Sequence, residues 1–506
     1  MPGGGRAPDL PLLHSGQAGP HRAEPLVRRL GDPVHGRPAG TPGGRRRPGP
    51  RAQLRRLDDP GAVVPRPAQD PGHPAGLEAA HASGPGALPG APGPEVARLV
   101  RPSAPGALYH AHHRGHRPQA GHGGGRRRRR FALKLLAVNW RDIGDPLGGG
   151  AELHLHHILK GAAAAGWEVD LVCSSYPGAA AEETIDGVHI RRHGHWAVAN
   201  FVLPPLVRRM LRSRRYDLLV EDINKIPFYT PLYRGSTPLV AIVPHLFGRT
   251  VYRETNPLTA TYVYGAESLI PRLYRDVDFE VISPSTRDDL VARGLDPARI
   301  RTIYCGMDHE RFTLADPPAR ATEPLVVTWS RLRRYKSLDV ALHAFARIHR
   351  DMPAARMLVM GRGPDEGRLR RLCTRLGLDD WVEFRGFQPW DELVRTLHQC
   401  RVFLNPSPKE GWGLTVIEAN QCGLPVVASD RPGLKDSVRD GETGLLVPYG
   451  DPAAMADAAL GLLRDEDRWL AMSDAARRWA GSFSWQRCVE ESLTLFDQVA
   501  TGKKRL

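Results

Sequence analysis

The order of secondary structure along the chain limits the possible folds more than any other feature of the sequence. From residue 131 onward, short apolar runs typical of buried strands alternate with longer amphipathic runs typical of helices. Parallel strands need a crossover connection between them, and a helix usually supplies it. The alternation therefore predicts parallel sheets that are covered by helices on both faces.

Two such series follow one another. The first series predicts strands at residues 134–139, 168–173, 217–221, 238–243, 280–283 and 301–304, and helices at 151–166, 198–214 and 285–292. The second predicts strands at residues 324–329, 355–361, 382–385, 402–405 and 425–429, and helices at 338–349, 365–376, 390–399 and 413–422. After Asp451 the pattern is helical only, and it ends in a helix near residues 485–499.

The two series predict two Rossmann-like α/β domains that face a central cleft. Residues 131–506 exceed the length of roughly 250 to 300 residues at which a single core stops growing. We place the domains at residues 131–313 and 314–484, and expect residues 485–506 to pack back toward the first domain. Ligands of such sheets bind at the carboxyl ends of the strands, which here means the cleft.

Residues 1–130 have a different composition from the rest of the chain. They contain 24 Gly and 22 Pro, 21 Arg against 8 acidic residues, and no Ile, Phe or Trp. Such a segment cannot bury enough apolar surface to fold, so we predict a disordered leader. The leader is either a basic tail that contacts nucleic acid or anionic lipid, or the result of reading GC-rich DNA upstream of the true start as protein. We favour the second interpretation. Deleting residues 2–130 is then expected to leave stability and activity unchanged.

The remaining composition indicates a cytoplasmic protein. No uncharged apolar run approaches the ~18 residues of a membrane-spanning helix, and no signal-peptide pattern is present. The six cysteines are widely spaced, without a C-x-x-C pair, as in a reduced protein. Because the leader holds most of the positive charge, the folded part is not expected to bind nucleic acid.

The most informative segment joins two glutamates to a glycine turn. Glu410 precedes Gly411 and Gly413, a helix starts near Leu414 and Thr415, and Glu418 follows on its second turn. A glycine turn at a helix N-terminus favours an anion such as a diphosphate. Glu418 could then bind ribose hydroxyls and Glu410 sugar hydroxyls. Alternatively, the first glutamate completes a helix cap and Glu418 is an ordinary surface residue.

A second candidate segment follows the strand at residues 324–329. Arg331 and Lys336 lie in the loop between this strand and the next helix. Two cations at a strand's carboxyl end can neutralise a departing diphosphate. Because Arg333 and Arg334 lie between them, the loop could also be an ordinary solvated basic segment.

Together these segments resemble the family 4 glycosyltransferases, retaining enzymes of the two-Rossmann GT-B architecture. The resemblance covers essentially all of residues 131–506, and the E-x7-E spacing within the Glu-Gly-x-Gly-Leu context is its most specific marker. The other markers are Gly148-Gly149-Gly150-Ala151-Glu152, Ser330-Arg331 with Lys336, Gly361-Arg362-Gly363-Pro364, and Ala428-Ser429-Asp430-Arg431-Pro432-Gly433.

The resemblance implies a role for each matching residue. It implies that the N-terminal domain binds the acceptor and the C-terminal domain the nucleotide sugar. Arg331 and Lys336 would bind the donor diphosphate, and Glu418 the ribose. The transferred sugar would contact Glu410 and His245. The donor-binding set is completed by Gly149, Gly150, Gly411, Gly413, Leu414 and Thr415. Ser337 departs from the family pattern, in which a glycine commonly follows the lysine.

We expect no metal and no cofactor apart from the donor substrate. His154, His156 and His157 lack a carboxylate at suitable spacing, and no Asp-x-Asp pair ends a strand. Trp329, Trp390 and Trp412 either line the cleft or pack in the core. An aromatic and basic stretch could contact an acceptor or an anionic membrane, or be a solvated surface; it contains Tyr229, Tyr252, Tyr262, Tyr264, Arg249, Arg253 and Arg272.

The sequence thus predicts a retaining hexosyltransferase that moves a sugar from a nucleotide diphosphate to a glycan or lipid-linked acceptor. It would serve cell-envelope or polysaccharide synthesis in the cytoplasm, or at the inner face of the membrane. Two alternatives stay open at this point. One is a sugar-nucleotide epimerase or hydrolase of the same architecture. The other is a non-catalytic protein that binds through its basic leader.

Overall fold

The computed structural model describes residues 133–253, 255–317 and 319–502, and the prediction of a disordered leader lies outside this part of the chain. The first domain has one eight-stranded sheet with the strand order β3-β4-β2-β1-β5-β6-β7-β8. Its strands are β1 (Lys134–Val138), β2 (Glu168–Ser175), β3 (Glu182–Ile185), β4 (Val188–His195), β5 (Leu218–Asp222), β6 (Leu239–Val243), β7 (Asp278–Val281) and β8 (Ile300–Thr302).

Helices cover both faces of this sheet. They are α1 (Gly150–Ala164), α2 (Ala199–Ser213), α3 (Pro257–Ser268), α4 (Ile270–Leu273), α5 (Pro284–Ala292) and α6 (His309–Phe312). Successive residues of β1 point to opposite faces, so Leu135 and Ala137 enter one core while Leu136 and Val138 enter the other. The strand order reverses between β1 and β5, which makes their carboxyl ends a topological switch point.

The sheet contains a hairpin that the sequence analysis did not predict. β3 pairs with β4 in antiparallel fashion, whereas the other pairings of the sheet are parallel. β3 is mostly exposed, and β4 carries histidine and arginine side chains, so neither strand has the apolar run typical of a buried strand. The pair extends the edge of the sheet beyond β2.

The second domain has a six-stranded parallel sheet with the order β11-β10-β9-β12-β13-β14. Its strands are β9 (Leu325–Trp329), β10 (Arg356–Met360), β11 (Val382–Gly386), β12 (Val402–Asn405), β13 (Val426–Ser429) and β14 (Gly444–Val447). The switch point lies between β9 and β12. β14 was not predicted; it is an edge strand in which a glycine precedes only three apolar residues.

Eight helices follow in the described part of this half of the chain. They are α7 (Leu338–Asp351), α8 (Glu366–Arg375), α9 (Trp390–Gln399), α10 (Leu414–Gln421), α11 (Leu434–Ser437), α12 (Pro452–Arg464), α13 (Glu466–Ala480) and α14 (Trp485–Thr501). The last helix contacts α1 of the first domain. Gly161 makes this contact possible, because a Cβ at that position would collide with Val489. Two α/β domains of the predicted class are therefore present.

The described helices include none that is long and apolar enough to cross a membrane. All six cysteines are buried and unpaired.

Candidate functional site

The predicted site residues of the second domain lie at its topological switch point. Arg331 and Lys336 follow β9, and Glu410 follows β12, the neighbouring strand in the sheet. Carboxyl ends of adjacent parallel strands open a crevice where their connections diverge. The fold therefore brings together two segments that are more than seventy residues apart in sequence.

Lys336 and Glu410 form a buried ion pair. Lys336 Nζ donates to Glu410 Oε1 at 2.5 Å, and the two side chains are only 12% and 17% exposed. Burial alone would raise the pKa of Glu410, but the ammonium of Lys336 outweighs it and the pKa is lowered. Burial would likewise lower the pKa of Lys336, and the carboxylate raises it instead. Both groups are therefore charged at neutral pH.

Three glycines shape the backbone around this pair. Gly413 has φ 88° and forms the N-cap of α10, so the first backbone N–H groups of that helix face the crevice. A Cβ at Gly411 would lie 3.1 Å from the carbonyl oxygen of Pro244 and 3.4 Å from His245 Nδ1. Gly433 has φ 84°, and a Cβ there would collide with the carbonyl of Glu410. The glutamate is thus held by close backbone packing.

His245 lies across from this turn, two residues after β6 of the first domain. Burial, with a smaller contribution from the cation Lys409, lowers its pKa to about 4. The imidazole is therefore neutral at pH 7 and can donate or accept one hydrogen bond. Its ring packs edge-on against Phe247 with centroids 5.2 Å apart.

The glycine segment of the first domain meets the second domain at the same place. A Cβ at Gly149 would lie 3.5 Å from Arg331 Nη2, and one at Gly150 would lie 2.9 Å from Leu414 Cδ1. Gly150 is the first residue of α1 and not part of a loop. Glu152 accepts a hydrogen bond from the Gly149 backbone N–H at 2.8 Å and so fixes the start of the helix.

Glu418 lies on the buried face of α10 and is 8% exposed. Burial, opposed in part by nearby Arg311, raises its pKa to about 8. The residue is thus a buried carboxyl that is mostly neutral at pH 7, and the alternative of an ordinary surface residue is wrong.

Ser337 adopts a backbone conformation that favours glycine. Its φ is 54°, and its hydroxyl lies 3.1 Å from the hydroxyl of Tyr449. Tyr449 also accepts a hydrogen bond from Arg253 of the first domain at 2.9 Å. The serine therefore keeps the left-handed turn of the family pattern and adds a polar link between the domains.

The other predicted residues separate into packed and exposed groups. Trp412 is buried in the core, and Trp390 stacks edge-on near Trp329 with centroids 6.5 Å apart. Tyr229 is tied inward, because its hydroxyl donates to the Ala266 carbonyl at 3.1 Å. The exposed part of the aromatic stretch consists of Tyr252, Tyr262 and Tyr264, with Leu258 and Leu269 beside them.

Four polar residues at the switch point of the first domain were missed by the sequence analysis. They are Asn139, Glu152, Asn224 and Lys225. Each follows a strand or a glycine turn, which is a weak signal without knowledge of which strands are neighbours.

Among residues 133–253, 255–317 and 319–502, no group of three His, Cys, Asp or Glu side chains could hold a metal ion. His154 and His156 are both buried, and His156 pairs with Asp186 at 3.0 Å. His157 stacks on Trp485 with centroids 4.0 Å apart. The three histidines thus have different surroundings.

Two family models match consecutive parts of the chain. The model described as "Glycosyltransferase Family 4" matches residues 148–311, and the model described as "Glycosyl transferases group 1" matches residues 311–479. A D-inositol 3-phosphate glycosyltransferase from Streptomyces bingchenggensis is 31% identical over 49% of this chain and 58% of its own length. A GDP-mannose-dependent mannosyltransferase from Mycolicibacterium smegmatis, acting on phosphatidylinositol monomannoside, is 32% identical over 44% of this chain and 62% of its own length. The chain thus spans less than two thirds of either relative.

Solved structures show the same fold. Sucrose-phosphate synthase from Thermosynechococcus elongatus matches with a TM-score of 0.60 and 22% identity, covering 73% of this chain and all of its own. WaaG, a glycosyltransferase involved in lipopolysaccharide biosynthesis, matches with a TM-score of 0.59 and 16% identity, covering 72% of this chain and 99% of its own. The predicted GT-B architecture is confirmed.

Proposed function

The chain belongs to glycosyltransferase family 4, and on this premise we propose that it transfers a sugar from a nucleotide diphosphate sugar to a hydroxyl of a glycan or lipid-linked acceptor. One observation carries the proposal. The Lys336–Glu410 pair, Arg331 and the N-terminus of α10 converge on the switch point that faces the other domain. A diphosphate needs cations and backbone N–H groups in such a crevice, and a sugar needs a nearby carboxylate.

The chemistry follows from the charges around the pair. Arg331 and Lys336 would neutralise the diphosphate as the bond to the sugar breaks, and the N–H groups at the start of α10 would add to this stabilisation. Glu410 would fix the orientation of the sugar through its hydroxyls. The departing phosphate would accept the proton of the acceptor hydroxyl from the same face of the sugar, as the family resemblance implies. Transfer would then retain the configuration of the sugar.

His245 suits the sugar side of this site. Its neutral imidazole, set against Gly411, can hydrogen-bond a hydroxyl without repelling the cations nearby. We propose catalysis without a metal, since the cations Arg331, Lys336 and Lys409 lie near the place where the diphosphate charge develops, the two lysines paired with the carboxylates of Glu410 and Asp289. The donor sugar would then be the only ligand of the second domain.

The acceptor belongs to the first domain in this proposal. The relatives named above act on an inositol phosphate and on a phosphatidylinositol monomannoside, and both acceptors are derivatives of a polyhydroxylated ring. This favours a polyol acceptor for the present chain. The second relative also uses GDP-mannose, which makes a hexose donor a reasonable first choice.

Thermal denaturation against UDP, GDP, ADP and their sugar conjugates tests the proposal. A ligand that binds the native state raises the unfolding midpoint by mass action. We expect one base to shift the midpoint selectively, and the same shift to be lost in Lys336→Met. Release of free sugar without any acceptor would instead indicate the hydrolase alternative. No shift with any nucleotide would contradict the proposal and favour the alternative of a non-catalytic protein that binds through its basic leader.

We further propose peripheral contact with an anionic membrane at the inner face of the cell envelope. The exposed side of α3 presents Leu258, Tyr262 and Tyr264, and Leu258 is 85% exposed. Aromatic and aliphatic side chains beside arginines are typical of membrane-surface contacts. Sedimentation with vesicles containing phosphatidylglycerol tests this. Binding that persists unchanged in a Leu258→Ser, Tyr262→Ser variant would contradict it.

A further inference from the structure

The first domain has a cluster of buried polar side chains, here called the polar pocket, at its own topological switch point between β1 and β5. Asn139 follows β1 directly, and Asn224 follows β5 by two residues. Glu152 reaches the same place from the first turn of α1. The pocket lies beside Gly149, which packs against Arg331 of the donor site. It is therefore next to the place where the transferred sugar would be.

The hydrogen bonds of this pocket fix the orientation of both amides. Asn139 Oδ1 accepts a hydrogen bond from the Trp140 backbone N–H at 2.7 Å, and only an oxygen can do so. Asn224 Nδ2 donates to Asn139 Oδ1 at 3.0 Å and to Glu152 Oε1 at 3.3 Å, and only the nitrogen can do so. Neither amide can be turned over without losing these bonds.

The fixed orientation leaves one donor and one acceptor unused. Asn139 Nδ2 and Asn224 Oδ1 have no hydrogen-bond partner, although both atoms are buried. A buried polar group without a partner is unfavourable, and most such groups in native proteins are paired. Asp222, the last residue of β5, also has buried polar atoms without a partner, namely both of its carboxyl oxygens. Three neighbouring side chains thus have unused polar atoms.

A hydroxyl group is the natural complement of such a set. It donates one hydrogen bond and accepts others, so it can pair with an amide N–H and an amide oxygen together. Two adjacent hydroxyls on a ring would use both amides and leave the carboxyl of Asp222 for a third. A phosphate would suit only the N–H, since the two oxygens offer it nothing. Lys225, with 31% of its side chain exposed, lies at the rim of the pocket, 3.6 Å from Glu152.

We propose that Asn139 and Asn224 bind a pair of adjacent hydroxyls on a polyhydroxylated ring of the acceptor, at the β1–β5 switch point. This rests on the proposed function, and it specifies which chemical group the first domain recognises. These side chains are buried in this structure, so we expect the acceptor to reach them only when the two domains move apart at the Gly148–Gly150 segment. Closure over the bound ring would then bring its hydroxyl toward the donor sugar.

Binding of three cyclohexane derivatives to the full chain tests the proposal. The probes are myo-inositol, cis-cyclohexane-1,2-diol and cyclohexanol, observed by saturation-transfer NMR in the presence of the nucleoside diphosphate that stabilises the protein. We expect the inositol and the diol to bind and cyclohexanol to bind much more weakly. Asn139→Leu and Asn224→Leu should each weaken inositol binding by about tenfold or more, the usual effect of leaving one buried partner unpaired.

Two further variants separate recognition from folding. Asn139→Asp keeps the shape and the accepting oxygen but removes the free donor, so it should lose inositol affinity to a similar degree. Asn200→Leu is the matched control, because the Asn200 amide bonds to the Pro227 carbonyl at 3.1 Å in the same domain without reaching the pocket. The control should bind all probes as the unmodified chain does.

The outcomes distinguish this proposal from the function on which it rests. If the variants keep the nucleotide-induced midpoint shift and lose inositol binding, the amides recognise hydroxyls. If they lose stability but bind inositol normally, the amides are structural and the proposal is wrong. Failure of the unmodified chain to bind any polyol, with nucleotide binding intact, also overturns it. Absence of nucleotide binding would instead refute the proposed function.

Discussion

Two substitutions in the Lys336–Glu410 ion pair of the second domain should change the affinity for a nucleoside diphosphate in opposite directions. Glu410→Gln is expected to tighten binding of a nucleoside diphosphate, whereas Lys336→Met is expected to weaken it. Glu410 now neutralises Lys336, and a diphosphate that reaches the same ammonium must approach a carboxylate. Removing the carboxylate removes this repulsion, and removing the ammonium removes the attraction.

The magnitude follows from the geometry of the pair. If a phosphate oxygen contacts Lys336 Nζ opposite Glu410, two contacts of ordinary length place the two anions about 5.5 Å apart. At an effective dielectric constant near 20, unit charges at about this distance interact by about 3 kcal/mol. This corresponds to roughly a hundredfold gain in affinity for Glu410→Gln. Lys336→Met removes the shorter contact between the ammonium and the phosphate, so its loss of affinity should be at least as large.

Calorimetric titration of the nucleoside diphosphate measures both changes, and urea unfolding measures stability in parallel. Each single variant should lose about 3 kcal/mol of stability, because it leaves a buried charge unpaired, and the double variant should lose less than the sum. Glu442→Gln, in the exposed pair with Arg439, is the control and should change neither quantity by more than about 0.5 kcal/mol.

Turnover separates binding from catalysis in the same variants. Both single variants should be slower by orders of magnitude, including the one that binds nucleotide more tightly. If Glu410→Gln binds the nucleoside diphosphate more weakly than the unmodified chain, or if Lys336→Met binds it equally well, the assignment of this pair to the donor diphosphate is refuted.

Three further predictions follow from single positions. Gly433→Ala should lower the free energy of unfolding in urea by about 2 kcal/mol more than Gly441→Ala does. Both positions have a left-handed φ, but only a Cβ at residue 433 would collide with the Glu410 carbonyl. Equal losses in the two variants would argue against that contact. The unmodified chain should lose stability as pH rises because of Glu418, and Glu418→Gln should abolish this pH dependence. The pKa of Glu418 is raised to about 8 in the folded chain, so between its ordinary value of 4.5 and 8 the native state holds a proton that the unfolded state releases, and stability falls as pH rises. Thermal midpoints of both chains from pH 5 to about 9 check this, and parallel curves would contradict it. Gly161→Ala should destabilise the chain by about 1 to 3 kcal/mol, because the added methyl group overpacks against Val489 of α14. Adding Val489→Ala should restore most of the lost stability. If it does not, α14 does not pack closely against this glycine.

The sequence was sufficient for the parts of the fold whose pattern is local. The strands at the centre of each sheet are mostly apolar, and their predicted bounds differ from the observed ones by at most one residue at each end. β3 and β14 lie at sheet edges and were missed. β3 is polar, and β14 has a glycine before only three apolar residues, so their partners in the sheet, and not their own residues, determine the structure.

The candidate site divides in the same way. Glu410 and Lys336 were identified because each stands beside a recognisable turn, and the sheet order then explains why they meet. Asn139 and Asn224 carry no such signal. Their roles depend on two hydrogen bonds between residues that are 85 and 72 positions apart, and no sequence pattern specifies contacts of that separation.

Both domains therefore use the same physical device, a crevice where the strand order reverses, but they fill it with different chemistry. The crevice of the second domain contains a charged pair and a helix N-terminus, which suit a diphosphate. The crevice of the first domain contains neutral amides with one donor and one acceptor unused, which suit hydroxyls. Because Gly149 packs against Arg331 between the two crevices, a group bound in one lies next to a group bound in the other. Such proximity is the main requirement for moving a sugar from a phosphate to a hydroxyl, since orientation of two reactants supplies a large part of the rate.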